Sequence, residues 1–371
     1  MMNNFRFAAI FTQKRKQLNV TQEDIARYVG ISRAAVSKWE KGQSYPDISL
    51  LPRLAAYFNV SIDDLLGYEP QMTKQGIMTT YADFAAKFTK LPYEEVDQQI
   101  EALVEEFYSC FPLLLKMAQL YVNYFNLAPN KEEATQKIQC LCIRVKEFSG
   151  DYKLVNEATM MEALSYILQG EPQKVLALLG EDAKVQLGAE QLIATAQTML
   201  GQTDKAKEIY QVNQYQYLLG MLSNASEMLM LEMANPTYFD QIVTRVEAVF
   251  DTFQIEKLNV NTALVFYLRA ASGFAAQNRT EEALRCLARY VKVCRQMEFP
   301  VRLTGDAYFY LLEDWIKREV TLNAQSPRDD ESIKKSLYES VAENPMFESL
   351  KEHAQFKSLV TNLQHHLRIG G

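Results

Sequence analysis

The sequence predicts an all-α protein: a small N-terminal bundle of five helices followed by a long array of paired helices. Apolar residues recur at helical spacing along most of the 371 residues, and the alternating pattern typical of strands is nearly absent. One spacing of small residues also occurs three times beyond residue 160, which is typical of repeated helix pairs. The length allows two or three domains.

Charge and composition divide the chain near Gly67. Residues 1–67 contain nine Lys and Arg against six Asp and Glu, a balance of +3, which leaves 30 against 40, or −10, for the remainder. The positive charge is therefore concentrated in the N-terminal bundle, where a polyanion would bind. Residues 68–78 contain Pro and Gly without an apolar period, so we predict domains at 1–67 and 79–371 joined by this linker.

Two short helices within residues 21–42 carry the clearest local signals. Thr21 can cap a first helix, with Asp24 at its third position, and Gly30 can end it. Ser32 can cap a second helix, which stops at Gly42. Helices joined by so short a turn cross steeply, as in a helix-turn-helix, in which the second helix lies in the major groove of DNA and the first crosses the backbone. Further helices are predicted at 5–18, 47–58 and 61–66, the last two capped by Asp47 and Ser61.

Residues 5 to 66 resemble the XRE or phage-repressor type of helix-turn-helix, a lambda-repressor-like five-helix domain. The resemblance rests on Arg15, Thr21, Gln22, Ala26, Gly30, Val36, the run Trp39-Glu40-Lys41-Gly42, Pro46 and Leu54. It implies that the base-reading positions are Arg33, Ala34, Ser37 and Lys38. It further implies a phosphate contact at Gln22 and an internal salt bridge between Arg15 and Glu40. Lys41, near the backbone, and Lys14, on the outer face of the first helix, are also expected to meet phosphate.

The chemistry of these positions suits DNA. Arg33 can bridge the O6 and N7 acceptors of guanine, Lys38 can reach a base or a phosphate, and Ala34 offers a methyl group that suits thymine. The alternative is a small helical bundle that binds protein.

The region from residue 79 onward is predicted to be helical to its end. The expected helices lie at roughly 79–90, 93–109, 111–126, 131–148, 151–169, 172–180, 188–200, 203–219, 221–233, 237–252, 258–277, 280–297, 303–322, 329–342 and 354–366. Three groups share a spacing of seven and then five residues: Ala163, Gly170 and Val175; Ala194, Gly201 and Ala206; Ala271, Asn278 and Ala283. This spacing resembles the tetratricopeptide repeat, in which small residues let paired helices approach closely. We therefore expect a TPR-like solenoid.

Catalysis and metal binding are not expected. The three histidines all lie after residue 352, and neither a phosphate-binding loop nor a dinucleotide-binding turn is present. Cys140 and Cys142 would point in different directions on a helix and have no second pair for a zinc site. The odd number of cysteines favours a reducing compartment, and no apolar run reaches a membrane-spanning length. We expect a cytoplasmic protein without a cofactor and without a membrane partner.

The combination of domains resembles the RRNPP class of quorum-sensing regulators of Firmicutes, which join an XRE domain to a TPR-like receptor and dimerise through the C-terminal half. In that class, asparagines on inner helix faces hold the backbone of a short peptide, because an amide both donates and accepts. The candidate positions here are Asn123, Asn213, Asn224, Asn261, Tyr217, Tyr267 and Arg269.

Two hypotheses follow for the whole chain. The first is a sequence-specific transcription regulator that binds a two-half-site DNA operator as a homodimer, with its affinity set by a ligand such as a short peptide in the array. The second is an adaptor, anchored on DNA, whose array binds a protein partner.

Overall fold

The computed structural model describes residues 6–68, 71–183, 188–319 and 330–368. Every extended regular element in these ranges is a helix, which confirms the all-α class. The chain divides into two compact units, Met1–Glu181 and Asp182–Gly371. Within the described ranges, no helix has the length and apolar character needed to cross a membrane.

The N-terminal bundle contains the five predicted helices. They are α1 (Phe7–Gln17), α2 (Gln22–Val29), α3 (Arg33–Glu40), α4 (Leu51–Phe58) and α5 (Ile62–Leu66). Their core is aromatic: Phe11 is fully buried, with its ring centroid 5.8 Å from that of Trp39 and 5.4 Å from that of Phe58, both edge-on. Edge-to-face contacts of this kind add to the free energy of burial. The predicted helix start at Phe5 lies outside the described residues.

The predicted helix at 47–58 is wrong in its first turn. A separate 3-10 turn, Ile48–Leu50, precedes α4, and Asp47 caps that turn by accepting from the Ser49 backbone N–H at 2.9 Å. Pro52, in the first turn of α4, has no N–H to continue an earlier helix. Asp47 was predicted correctly as a capping residue, but it caps the 3-10 turn and not the α-helix.

Six more helices complete the first unit. They are α6 (Lys74–Lys87), α7 (Tyr93–Glu106), α8 (Phe111–Asn123), α9 (Lys131–Phe148), α10 (Tyr152–Gln169) and α11 (Pro172–Leu179). Cys140 of α9 is exposed and Cys142 is buried, so the two thiols point in different directions, as predicted.

Helix α6 begins inside the segment predicted as a linker. Thr73 caps it by accepting from the Gly76 N–H at 3.1 Å. The two preceding residues are held against the turn between α7 and α8, because Gln71 Nε2 donates to the Ser109 carbonyl at 3.0 Å and the Met72 N–H to Cys110 Sγ at 3.4 Å. The absence of an apolar period concealed this helix start, since a capped first turn does not need one.

The second unit contains the remaining helices. They are α12 (Ala189–Met199), α13 (Thr203–Leu231), α14 (Pro236–Phe253), α15 (Ile255–Leu258), α16 (Val260–Ala276), α17 (Thr280–Gln296), α18 (Leu312–Glu319), α19 (Asp330–Ala342) and α20 (Ala354–Leu367). Its core centres on α16 and α17, whose inward residues are almost all fully buried. At Gly273 of α16 a Cβ would lie 2.3 Å from ring carbons of Phe239 on α14, so the Phe239 ring fills the space that a larger residue would need.

The three predicted helix pairs are confirmed as α10–α11, α12–α13 and α16–α17. Their turns contain Gly170, Gly201 and Asn278 at φ values of +74°, +73° and +58°. The left-handed conformation at these positions explains why glycine or asparagine recurs there. The flanking alanines of the pattern are buried, including Ala194 and Ala206, at 0% and 2% exposure, where α12 meets α13.

Two predictions for the second unit are wrong. The helices expected at 203–219 and 221–233 form the single helix α13, because one interior glycine, Gly220, weakens a helix without ending it. The helix expected at 303–322 begins only at Leu312. Before it, a turn closes on Asp306, whose carboxylate accepts from the N–H groups of Tyr308 and Phe309. Residues 320–322 of that prediction lie outside the described ranges.

Candidate nucleic-acid interface

The two central helices of the N-terminal bundle are held by local caps. Thr21 and Asp24 form a reciprocal capping box, with the Asp24 N–H 3.1 Å from Thr21 Oγ1 and the Thr21 N–H 2.9 Å from Asp24 Oδ2. Gly30 ends α2 at φ +80°, and Ser32 Oγ accepts from the Ala35 N–H at 3.3 Å to begin α3. These predicted signals fix a tight turn between the helices.

The C-terminal end of α2 has an additional partner that the sequence did not suggest. Arg53 of α4 donates to the carbonyl of Val29 at 3.2 Å and to that of Tyr28. A cation is favoured at a helix C-terminus, where the last carbonyls lack intrahelical donors. The contact spans about two dozen residues, so no local pattern predicts it.

The outer face of α3 carries the predicted base-reading side chains. Arg33, Ala34 and Lys38 are exposed and Ser37 is half-buried. Val36 and Trp39 are buried, at 0% and 4% exposure, on the opposite side. A helix anchored by one apolar face therefore presents a guanidinium, a methyl group, a hydroxyl and an ammonium together, which are the groups that read base edges in the major groove.

The two predicted phosphate-binding lysines belong to the same bundle. Lys41 follows the last turn of α3 and is exposed, and Lys14 of α1 is half-buried. Their role in binding phosphate stays a prediction.

The ion pair implied by the resemblance is present. Arg15 Nε donates to Glu40 Oε1 at 2.5 Å and Nη2 to Oε2 at 3.2 Å, while Nη1 donates to the carbonyl of Val20 at 2.9 Å. The side chains are only 16% and 10% exposed. Hydrogen bonding to Glu40 raises the pKa of Arg15. Burial alone would raise the pKa of Glu40, but the hydrogen bonds from Arg15 and Gln22 outweigh it and the pKa lies below its ordinary value. Both groups are thus charged at neutral pH.

Gln22 has a partner within the bundle that was not predicted. Its Nε2 donates to Glu40 Oε2 at 2.7 Å, from the first residue of α2 to the last residue of α3. The Gln22 side chain is half-buried, so it is held by Glu40 and is still partly accessible to solvent.

Part of the predicted ligand site forms one stripe on α13. Asn213, Tyr217 and Asn224 recur at spacings of four and seven residues, which places them on one helix face together with Gly220. Tyr217 is 45% exposed, and Gly220 and Asn224 are exposed as well. Asn213 is 6% exposed, and its buried Nδ2 has no hydrogen-bond partner among the described residues. A buried amide donor without an acceptor is unusual in a folded protein.

The other predicted ligand contacts occupy different environments. Asn261 of α16 is exposed. Arg269 Nη1 lies 2.5 Å from Glu227 Oε1 in an ion pair, although the alignment is too poor for a hydrogen bond. Asn123 belongs to the first unit, where its Nδ2 donates to the Tyr81 hydroxyl at 2.6 Å.

Tyr267 does not fit the predicted ligand contact. It is fully buried, its hydroxyl donates to Glu256 Oε1 at 2.9 Å, and it accepts from Arg289 Nε at 3.2 Å. It was a candidate because it lies near the candidate asparagines in sequence, but proximity in sequence does not place side chains on one face of a helix.

Comparison with known proteins agrees with the geometry of the N-terminal bundle. A family model described as helix-turn-helix matches residues 12–65. A helix-turn-helix transcriptional activator of Enterococcus faecalis, BcrR, is 42% identical over 67 residues, covering 17% of this chain and 33% of the relative. An uncharacterised helix-turn-helix transcriptional regulator of Methanocaldococcus jannaschii is 41% identical over 51 residues, covering 14% of this chain and 77% of the relative.

Two solved structures resemble the chain over most of its length. The apo form of the competence regulator ComR from Streptococcus vestibularis covers 87% of this chain and 99% of its own, at 15% identity and a TM-score of 0.27. ComR from S. thermophilus, in complex with DNA and its signalling peptide ComS, covers 78% and 92%, at 14% identity and a TM-score of 0.20. TM-scores of this size do not define a common fold.

The capped helix pair and its exposed basic face define a DNA-binding protein of the helix-turn-helix class. The chain belongs to the helix-turn-helix family of transcriptional regulators, and its N-terminal domain is of the XRE type. The chain spans only a third of the length of the Enterococcus relative.

Proposed function

We propose that this regulator reads a specific operator with the exposed face of α3, binds it as a homodimer on two half-sites, and responds to a short peptide bound on its C-terminal helices. The observation that carries the first part is the grouping of Arg33, Ala34 and Lys38 on the solvent side of a helix whose other side is anchored in the core. In a helix-turn-helix this is the face that enters the major groove.

Replacing Arg33 with alanine should weaken binding to an operator selected from random duplexes by about 1–3 kcal/mol and relax discrimination at one base pair. A bidentate contact to guanine is lost, while phosphate contacts remain. Fluorescence anisotropy on the operator and its single-base variants measures both effects. Arg27→Ala is the matched control, because Arg27 is an exposed arginine of α2 that lies outside the reading face. An equal loss on all sequences would mean that Arg33 contacts only phosphate.

The homodimer is inferred from the size of the reading face. One short helix with an alanine at a reading position makes few specific contacts, so selectivity would come from two copies on half-sites about one helical turn apart. Light scattering of the full chain, alone and with the operator, measures the stoichiometry. A single copy on the selected operator would contradict this part of the proposal.

The ligand proposal rests on the stripe of α13. Asn213 offers a buried donor without a partner among the described residues, and Tyr217 and Asn224 extend the same face with an aromatic ring and a second amide. Amides that donate and accept suit a peptide backbone, which presents both groups at regular intervals. The exposed face at Gly220, where no side chain projects, would let a backbone approach closely.

Fractions of short peptides from the growth medium should raise the midpoint of thermal unfolding of the full chain, because a ligand that binds only the native state stabilises it. Asn224→Ala should reduce this shift and Asn213→Ala should abolish most of it. Gln216→Ala, on the flank of the same helix and outside the stripe, is the matched control. Equal shifts in all three variants would exclude the stripe as the site.

A second candidate function is favoured by one observation on α12. Leu192, Ile193, Met199 and Leu200 are 70%, 51%, 84% and 72% exposed, while Ala194 alone of this helix is buried. An apolar surface of this kind suits a protein partner. If no peptide stabilises the chain, the adaptor function, with a protein docked on the array, becomes the better proposal.

A further inference from the structure

The contact between Gln22 and Glu40 joins the start of the first helix of the helix-turn-helix to the end of the second. Gln22 is the first residue of α2 and Glu40 the last residue of α3. In this motif the first helix crosses the backbone, and amide side chains and N–H groups at helix starts are common phosphate ligands. Gln22 therefore lies where a phosphate would approach.

The side-chain amide of Gln22 can donate hydrogen bonds to two partners at once. A carboxamide nitrogen has two protons in fixed directions. One is directed to Glu40 Oε2 at 2.7 Å, and no other described residue accepts from this nitrogen. With one proton engaged, the rotation of the amide is fixed and the second proton has a defined direction.

Glu40 is itself immobilised. Two hydrogen bonds from Arg15 orient its carboxylate, and its side chain is only 10% exposed. Arg15 also holds the carbonyl of Val20, just before the capping box of α2. The carboxylate is thus a rigid, charge-compensated acceptor for the Gln22 amide.

We propose that Glu40 is a positioning residue for DNA binding: its carboxylate holds the Gln22 side chain so that the second amide proton is directed to a DNA phosphate. The inference rests on the DNA-binding function and on no particular operator, because a phosphate contact is independent of sequence. Glu40 does not touch DNA in this arrangement. It lowers the entropic cost of ordering the Gln22 side chain on binding.

A double-mutant cycle on the full chain tests this role, with a random-sequence 20-base-pair duplex as the probe. Gln22→Ala should weaken binding about ten- to a hundredfold, the range expected for a hydrogen bond to a charged group. Glu40→Gln leaves one acceptor oxygen, for which Arg15 competes, and its NH2 group cannot accept from Gln22, so it should weaken binding in the same direction. The double variant should bind no more weakly than the more affected single variant, because both changes act on one contact. Glu23→Gln is the matched control: it removes an exposed carboxylate beside Gln22 and should not weaken binding.

The outcomes separate the positioning role from the alternatives. Independent effects that multiply in the double variant would overturn it, as would full affinity in Glu40→Gln. If Gln22→Ala binds normally while Arg33→Ala is defective on its operator, Gln22 makes no phosphate contact and the positioning role fails while the regulator function stands.

The fraction of folded protein is measured by circular dichroism for each variant, because Glu40→Gln also weakens the Arg15 pair. Should Glu40→Gln unfold the bundle, Glu40→Asp replaces it in the cycle, since aspartate keeps the charge and withdraws the carboxylate by one methylene. Full affinity in Glu40→Asp together with a defect in Gln22→Ala would then overturn the proposal.

Discussion

Replacing Arg15 with methionine is expected to lower the free energy of unfolding of the N-terminal bundle by about 3 kcal/mol, because it leaves the Glu40 carboxylate in a largely buried position without its cation. Both side chains are largely withdrawn from solvent, at 16% and 10% exposure, so water cannot replace the lost partner. The loss is a large fraction of the stability of a small domain. Denaturant titration followed by the fluorescence of Trp39, in a Trp315→Phe background, measures it, since these are the two tryptophans of the chain.

The double replacement of Arg15 and Glu40 by methionine is the matched control. Removing both charges leaves no unpaired ion, and apolar side chains of similar size commonly restore the stability of such a site. An equal loss in the single and double variants would mean that packing of the side chains, and not the charge pair, stabilises the bundle.

The effect of Arg15→Met should also depend on pH in a defined direction. The pKa of Glu40 is lower in the folded state than its ordinary value of 4.5, so the folded state favours the ionised form. The stability that this provides is present above the ordinary pKa and is lost as the pH falls through the folded pKa. The difference between wild type and Arg15→Met should therefore be full at neutral pH and shrink under more acidic conditions.

Gly273→Ala is expected to destabilise the second unit by about 1–3 kcal/mol, the usual cost of inserting a methyl group into a filled core. The added Cβ would lie 2.3 Å from two ring carbons of Phe239. That ring is fully buried and packs edge-on against Phe274 at 5.0 Å, so it has little room to move. Thermal unfolding monitored by circular dichroism measures the loss.

Gly220→Ala makes the same chemical change in a different environment. Gly220 lies within α13, and a Cβ at this position would have no neighbouring atom within 4 Å, so alanine should stabilise the helix by about 0.5–1 kcal/mol. The two substitutions should therefore have opposite signs. Destabilisation by both would contradict the assignment of the Gly273 effect to the Phe239 contact.

The features that could be predicted from the sequence are those determined within a few residues. Thr21, Gly30 and Ser32 set the bounds of α2 and α3 through contacts no more than four residues away. The recurring Gly or Asn in the three helix pairs marks a backbone conformation that few residues tolerate. Burial of Val36 and Trp39 also follows from helical spacing, and it leaves the reading face outside.

The features that could not be predicted depend on distant partners. The amide of Gln22 is held by a residue 18 positions away. The last carbonyl of α2 accepts from Arg53, which is 24 positions away. Tyr267 was expected at a ligand, but Glu256 and Arg289 hold it in the core. Gly220 was expected to divide a helix, yet nothing next to it supplies a stop signal, so α13 continues.

The early start of α6 has a mechanical consequence. Gln71 and Met72 are held against the turn between α7 and α8, and only a few residues separate them from Gly67, which ends α5. Four peptide units, from Gly67 to Gln71, reach at most about 14 Å. The distance between Gly67 and Gln71 is therefore smaller than the width of two helices. A larger displacement of the turn requires either the release of Gln71 and Met72 or movement of the bundle with the turn.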